Sequence, residues 1–275
     1  MMARTFCVAL LLWAGLAQAE LKPRWEVGMG FAAVSLPDYR GSDETQNYLL
    51  PFPYLAYRFE WLKADRNGLR ARIFDSERAE LNLSLGATPP VRSKNNRARE
   101  GMPDLKPMLE IGPSLDLNLW RSADRDTRLD LRLPVRAAIE ARSDAKFAGW
   151  LFSPRLNVDF LNLDQPGGWK LGLVTGPTFA DRRQNEYFYG VASDYARADR
   201  PAYASAGGYT GWQFLGALSR KYGKTWVGAY ARWDTLRGAV FEDSPLVRRK
   251  TYFSTGLAMT WTFAESSELV EVGED

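Results

Sequence analysis

The 275-residue sequence contains no histidine, and its single cysteine, Cys7, sits inside an apolar N-terminal run. Without histidine there is no ordinary general base for a serine or cysteine nucleophile, so a Ser-His hydrolytic pair is excluded. The commonest transition-metal ligand is missing too, and without further cysteine a zinc site has little to draw on. No catalytic residue, metal site or cofactor is indicated. Calcium on loop carboxylates such as Asp38, Asp43 and Glu44 is weighed against the commoner solvated state of such loops. Beyond the N-terminus no stretch approaches the roughly 20 consecutive apolar residues of a transmembrane helix.

What is present begins with a targeting signal. Arg4 precedes an apolar run over residues 6–16 and then Ala17-Gln18-Ala19. This is the layout of a secretory signal peptide, residues 1–19, cleaved after Ala19. Cys7 lies within the run rather than at its end, which argues against a lipoprotein. The remaining chain has no cysteine and must be stabilised by burial and backbone pairing.

Period-two alternation dominates the rest. Residues 251–263 place Thr251, Phe253, Thr255, Leu257, Met259, Trp261 and Phe263 on one face of a strand and Tyr252, Ser254, Gly256, Ala258, Thr260 and Thr262 on the other. Large apolar groups on one face with small or hydroxylated groups opposite fit lipid outside and a polar lumen inside. The pattern returns over 25–34, 69–74, 79–86, 109–120, 129–140, 150–160, 169–179, 208–218 and 225–235. Residues 49–59 are also extended, but Pro51 and Pro53 remove ladder donors and suggest an irregular strand or a bulge near a rim.

The expected fold is therefore all-β, a transmembrane antiparallel up-and-down β-barrel over residues 20–263, followed by an acidic, mobile tail over 264–275. Eleven strands are recognisable. Such barrels have an even number, so twelve is preferred, with the missing strand hidden in 187–191, and ten is the alternative. Short turns at 75–78, 121–126 and 220–224 alternate with long loops at 88–106 and 181–206. Residues 236–249 separate the last two strands.

Mean hydropathy is −0.34 and the isoelectric point about 8.9. A polar average is compatible with a barrel, because only alternate residues meet lipid. The scattered rather than clustered basic residues argue against nucleic acid. At the inward parity stand Glu110, Asp116, Arg128, Asp130, Arg132, Arg136, Glu140, Arg155 and Asp159. A charge facing a narrow lumen is costly unless paired, so an internal ion-pair lattice is the first expectation and an anion-attracting pore the second.

Several stretches carry a family resemblance: Pro37 to Asp43 (PDYRGSD), Leu50 to Tyr54 (LPFPY), Ile111-Gly112-Pro113, Asp181 to Val191 (DRRQNEYFYGV), and Tyr203 with Gly207-Gly208-Tyr209. In these the chain resembles the MltA-interacting protein (MipA/OmpV) family of Gram-negative outer-membrane proteins. The resemblance implies an outer-membrane scaffold in peptidoglycan metabolism, without catalysis of its own, that brings a lytic murein transglycosylase and a murein synthase together. Members have also been regarded as porin-like or adhesive. Outer-membrane lipid would surround the barrel, and Asp38, Tyr39, Gly41, Ser42, Asp181, Arg182, Arg183, Tyr187, Tyr189, Tyr203 and Tyr209 are the candidate loop or partner contacts. One departure is that such barrels commonly end on an aromatic residue, whereas Phe263 is followed here by the acidic tail.

Overall fold

A computed structural model describes residues 20–57, 62–65, 68–71, 74–75, 78–141 and 144–272. The signal peptide read at 1–19 lies outside the described residues, as do 58–61 at the end of the proline-bearing segment and 72–73 in the next one. In chain order the strands are β1 (Glu20–Pro23), β2 (Trp25–Pro37), β3 (Thr45–Tyr57), β4 (Leu62–Asp65), β5 (Gly68–Ala71), β6 (Phe74–Asp75), β7 (Ala79–Thr88), β8 (Met108–Arg121), β9 (Thr127–Glu140), β10 (Lys146–Phe152), β11 (Arg155–Phe160), β12 (Lys170–Ala180), β13 (Gly208–Tyr222), β14 (Thr225–Thr235), β15 (Thr251–Glu265) and β16 (Leu269–Val272). One helix, α1 (Arg182–Tyr189), interrupts them.

Twelve strands form one sheet in the order β3-β2-β15-β14-β13-β12-β10-β9-β8-β7-β6, with β11 also between β9 and β12. All its pairings are antiparallel, and the last long strand, β15, pairs with the first, β2. β10 and β11 are one strand interrupted at Ser153-Pro154, since both lie between β9 and β12. β4 and β5 form a separate hairpin.

Side-chain alternation follows the sequence pattern. On β15, Phe253, Leu257, Met259, Trp261 and Phe263 are exposed, while Ser254, Thr260 and Thr262 are buried. Exposed apolar groups recur at outward positions of nearly every long strand, with Leu49 at 73% and Phe253 at 68%. A soluble protein does not leave such a belt in water, and the belt is the lipid-facing surface. Aromatic rings band both margins: Phe147, Trp150, Phe152, Phe179 and Phe253 near the end bearing the long loops, and Trp120, Tyr222, Trp261 and Phe263 near the opposite end. No described helix is long and apolar enough to cross a membrane; the strands do so.

Four expectations need correction. Residues 187–191 hide no strand, because 182–189 is helical: the Asp181 carboxylate accepts from the Gln184 amide at 2.8 Å, capping a turn that buries Gln184, Asn185 and Tyr189. Pro51 and Pro53 cause neither bulge nor irregularity, and β2 and β3 stay in register over their whole length. Both prolines have the same parity, so their missing donors fall on one side of β3, away from this ladder. The tail is not simply mobile, since β16 pairs with β1 and extends the β2·β15 seam beyond the sheet. Finally, residues 236–249 are more than a connection: Leu236, Phe241 and Leu246 are essentially inaccessible to solvent.

Candidate functional site

The chain's chemistry concentrates in two places, the inward face of the sheet and the cluster of long loops at one end. Register creates the first. Asp116 lies opposite Arg132 across β8·β9, and Arg128 opposite Asp159 across β9·β11. The resulting ion pairs are Arg132–Asp116 at 3.6 Å and Arg128–Asp159 at 3.0 Å, with Arg128–Asp130 at 2.7 Å along the same strand. Arg136 meets Glu110 at 3.4 Å. Glu140 is buried at the outer end of β9, opposite Met108 in register. Two further inward pairs escaped the sequence reading: Lys221–Glu26 and Arg232–Asp234, both 2.7 Å.

Arg155 differs from its neighbours. Its guanidinium is held by the carbonyls of Pro154 and Pro177, the Thr178 hydroxyl at 2.9 Å and the Gln213 amide oxygen at 3.1 Å, with no described carboxylate in ion-pair contact. A ladder of charges crosslinks the interior, and this one arginine is satisfied by neutral acceptors instead.

The second place is a cap. Connections 38–44, 89–107, 181–207 and 236–250 all leave the same end of the sheet and share a hydrophobic core of Tyr39, Val91, Leu105, Tyr189, Val191, Leu236, Ala239, Phe241, Leu246 and Tyr252. The Tyr189 and Phe241 rings stack at 3.5 Å between centroids, and Tyr39 meets Tyr189 edge-on at 6.3 Å. Gly41 is required where it stands: its φ is +93° and an added Cβ would meet Leu236 at 2.8 Å. Its carbonyl accepts from the amides of Arg248 and Arg249.

Hydrogen bonds tie each loop to another. Asn96 donates to Asp38 at 2.7 Å and to Ser42 at 3.1 Å. Tyr39 donates to the Leu246 carbonyl, Tyr189 to that of Arg40, and Ser244 to that of Tyr189. Two buried arginines reach in opposite directions between the longest loops. Arg99 donates to the Phe188 carbonyl on α1 at 3.0 Å, and Arg200, 3% exposed, donates to the carbonyls of Ala98 and Glu100, both at 2.9 Å. Burial pushes the Tyr39 and Tyr189 phenols well above the usual range and lowers the Arg99 guanidinium.

Most candidate contacts therefore face inward within the cap. Asp38, Tyr39, Ser42 and Tyr189 are buried. Asp181 caps α1, Tyr187 accepts from the Lys106 amide, and Tyr203 donates to the Val240 carbonyl. Tyr209 sits against Phe179 at 5.9 Å, at the outer aromatic margin. Of these candidates only Arg182 and Arg183 are exposed. The carboxylates of Asp43 and Glu44 are engaged by Arg97. No group of three or more metal-binding side chains occurs among the described residues. Arg99, Arg200 and Asn96 were missed, as nothing in their spacing marks them; residues 236–249 did carry a signal, since six apolar residues (Leu236, Ala239, Val240, Phe241, Leu246 and Val247) are many for a solvated loop.

A family model for the MltA-interacting protein MipA matches residues 29–263, the first to the last long strand. The chain belongs to this family. No curated protein matches the sequence. Among solved structures the chain is similar to a bacterial polysaccharide outer membrane secretin, at 9% identity and a TM-score of 0.42 over 87% of this chain and 99% of that one. It is also similar to the outer membrane phospholipase A from Escherichia coli, at 10% identity and a TM-score of 0.32 over 88% and 94%. At these values neither carries a functional inference. The lipid-facing belt and the family agree on placement: this MipA family member is an outer-membrane β-barrel protein.

Proposed function

We propose that this MipA family protein is a non-catalytic scaffold whose periplasmic face brings a lytic murein transglycosylase and a murein synthase together. The observation that carries the reading is the contrast between its ends. The long-loop end uses its polar groups on itself, whereas the opposite end presents short turns and the β1·β16 ribbon to its surroundings. Long loops are extracellular in such barrels and short turns periplasmic, which puts the free end beside the murein layer. The barrel is taken to be processed after Ala19, bathed in outer-membrane lipid, and closed as twelve strands by β4 and the β5/β6 run between β3 and β7. An even number agrees with the antiparallel β15·β2 seam.

The test is a pull-down with the purified mature protein against purified murein enzymes. Recovery of both enzymes, reduced when the 122–126 and 161–169 turns are replaced, is expected; recovery of neither would overturn the scaffold. The charged interior favours a second reading, a channel for small solutes. Planar-bilayer recording distinguishes it: discrete ohmic steps from folded protein would support a channel, and their absence the scaffold.

A further inference from the structure

Two arginines lie over aromatic rings at the margins of the lipid belt, and their surroundings differ. At the periplasmic margin Arg220 is 4.8 Å from the Tyr222 ring centroid and 5.9 Å from that of Trp169, and its charge is met by Asp164 at 2.8 Å. At the outer margin Arg183 lies 5.3 Å over the ring of Phe147, which meets Trp150 edge-on at 5.7 Å. Phe147 and Trp150 are both exposed on the outer end of β10, so this guanidinium reaches over the rim to the lipid-facing side. Among the described residues it makes no ion pair, and neither does the adjacent Arg182. The same cation-on-aromatic unit thus has an internal counter-ion at one margin and none at the other.

We propose that the missing counter-ion is supplied by the membrane: Arg183, with Arg182, binds a phosphate of a phosphorylated glycolipid headgroup in the outer leaflet, whose acyl chains lie along Phe147 and Trp150. Guanidinium groups match phosphate oxygens in charge and in fork geometry. A ring beneath the cation restricts its rotamers and adds attraction where water is scarce. Phosphates of a lipid in that leaflet sit at the level of the aromatic margin, where a soluble anion would be shared with bulk water. The inference rests on the long-loop end facing outward, which is tested separately by labelling a Ser193→Cys variant on intact cells. An unlabelled cysteine there would overturn the orientation, leaving the anion chemistry to be judged on its own.

The decisive measurement is binding of bisphosphorylated lipid A to the detergent-solubilised mature protein, read by native mass spectrometry. The wild type should retain it, and R182Q/R183Q should bind about tenfold more weakly, the loss expected for one charge-assisted contact. R220Q, altered at the internally neutralised margin, should bind as the wild type does. Lipid A stripped of phosphate should bind the wild type as weakly as intact lipid A binds the double variant. Equal binding by wild type and R182Q/R183Q, or of intact and stripped lipid, would overturn the site; equal binding of phosphatidylglycerol would overturn the glycolipid. The folded state of each variant is read from its unheated gel mobility, and R183K, which keeps the charge but loses the fork, should fall between the extremes.

Discussion

At the outer end, Tyr39, Val91, Tyr189 and Phe241 come from four different connections and pack in one core. At the inner end, the connections at 122–126 and 161–169 are held by short-range bonds such as Ser122 to Asp124 at 2.5 Å, and by contacts between immediate neighbours: the Leu161 amide to the Asp126 carbonyl and the Asn162 side-chain amide to the Asp126 carboxylate, both at 2.7 Å, and Arg220 to Asp164 at 2.8 Å. The outer end is in effect a small globular layer built on the rim of a sheet, with a core and buried arginines. The inner end is a set of short turns joined by hydrogen bonds and ion pairs between neighbours, without a shared core. Loop sequence is thus constrained by folding at one end and open to partner recognition at the other, so motif residues that look like ligand contacts can be structural.

The largest effect that would break this comparison is Phe241→Ala. The side chain is 1% exposed and stacked on Tyr189, and removing a ring from such a site costs about 3–5 kcal/mol. The cap should loosen while the barrel persists, seen as rapid trypsin cleavage at the exposed Arg197 in a protein whose unheated gel mobility is unchanged. Trp120→Ala at the inner margin should leave Arg197 protected. The next effect is Arg200→Met. It strands the carbonyls of Ala98, Glu100 and Tyr195, at a cost of about 1.5–3 kcal/mol for losing bonds from a charged donor. Arg197 should again be cleaved faster, though more slowly than in Phe241→Ala.

Alkaline pH sharpens the contrast without mutation. Burial raises the Tyr39 and Tyr189 phenols above the ordinary value of 10.0. Because the folded values exceed the unfolded one, their share of cap stability is intact below pH 10 and is lost progressively as pH rises above it. Tyrosinate absorbance should therefore show at least two phenols that ionise only with loss of the cap. Simultaneous ionisation of all tyrosines would remove the distinction.

The sheet was legible because a strand half in lipid writes its environment into every second residue. Phe253, Leu257, Met259, Trp261 and Phe263 could be assigned outward from alternation alone, and Arg128, Arg132 and Asp159 inward, with their pairings then following from register. The cap has no comparable period. Asn96 meets Asp38 over 58 positions and Arg200 meets Ala98 over 102, so only the folded chain brings them together. The helix at 182–189 was hidden for a related reason: eight residues are too few for a 3.6-residue period to stand out, and the aromatic FYG stretch reads equally well as extended. What the sequence did carry for the cap was composition, tyrosine in 181–206 and apolar residues in 236–249, which indicates a packed layer without saying what packs on what.

The smallest expected effect concerns the ribbon at the inner end. Arg24 and Glu268 form a two-bonded pair at 2.7 and 2.9 Å, but both side chains are about half exposed. An ion pair in that setting is worth at most about 1 kcal/mol, and less in salt. Glu268→Gln should leave barrel melting unchanged within error, because the backbone pairing of β1 with β16 continues the β2·β15 seam independently of this side chain. If instead the variant lowers the melting temperature by several degrees, the ribbon is part of the barrel's closure and the inner end contributes to its stability. If it weakens capture of a murein enzyme at unchanged melting temperature, the ribbon belongs to the docking surface. The same substitution therefore separates a structural from a recognition role at the end where sequence is under the least folding constraint.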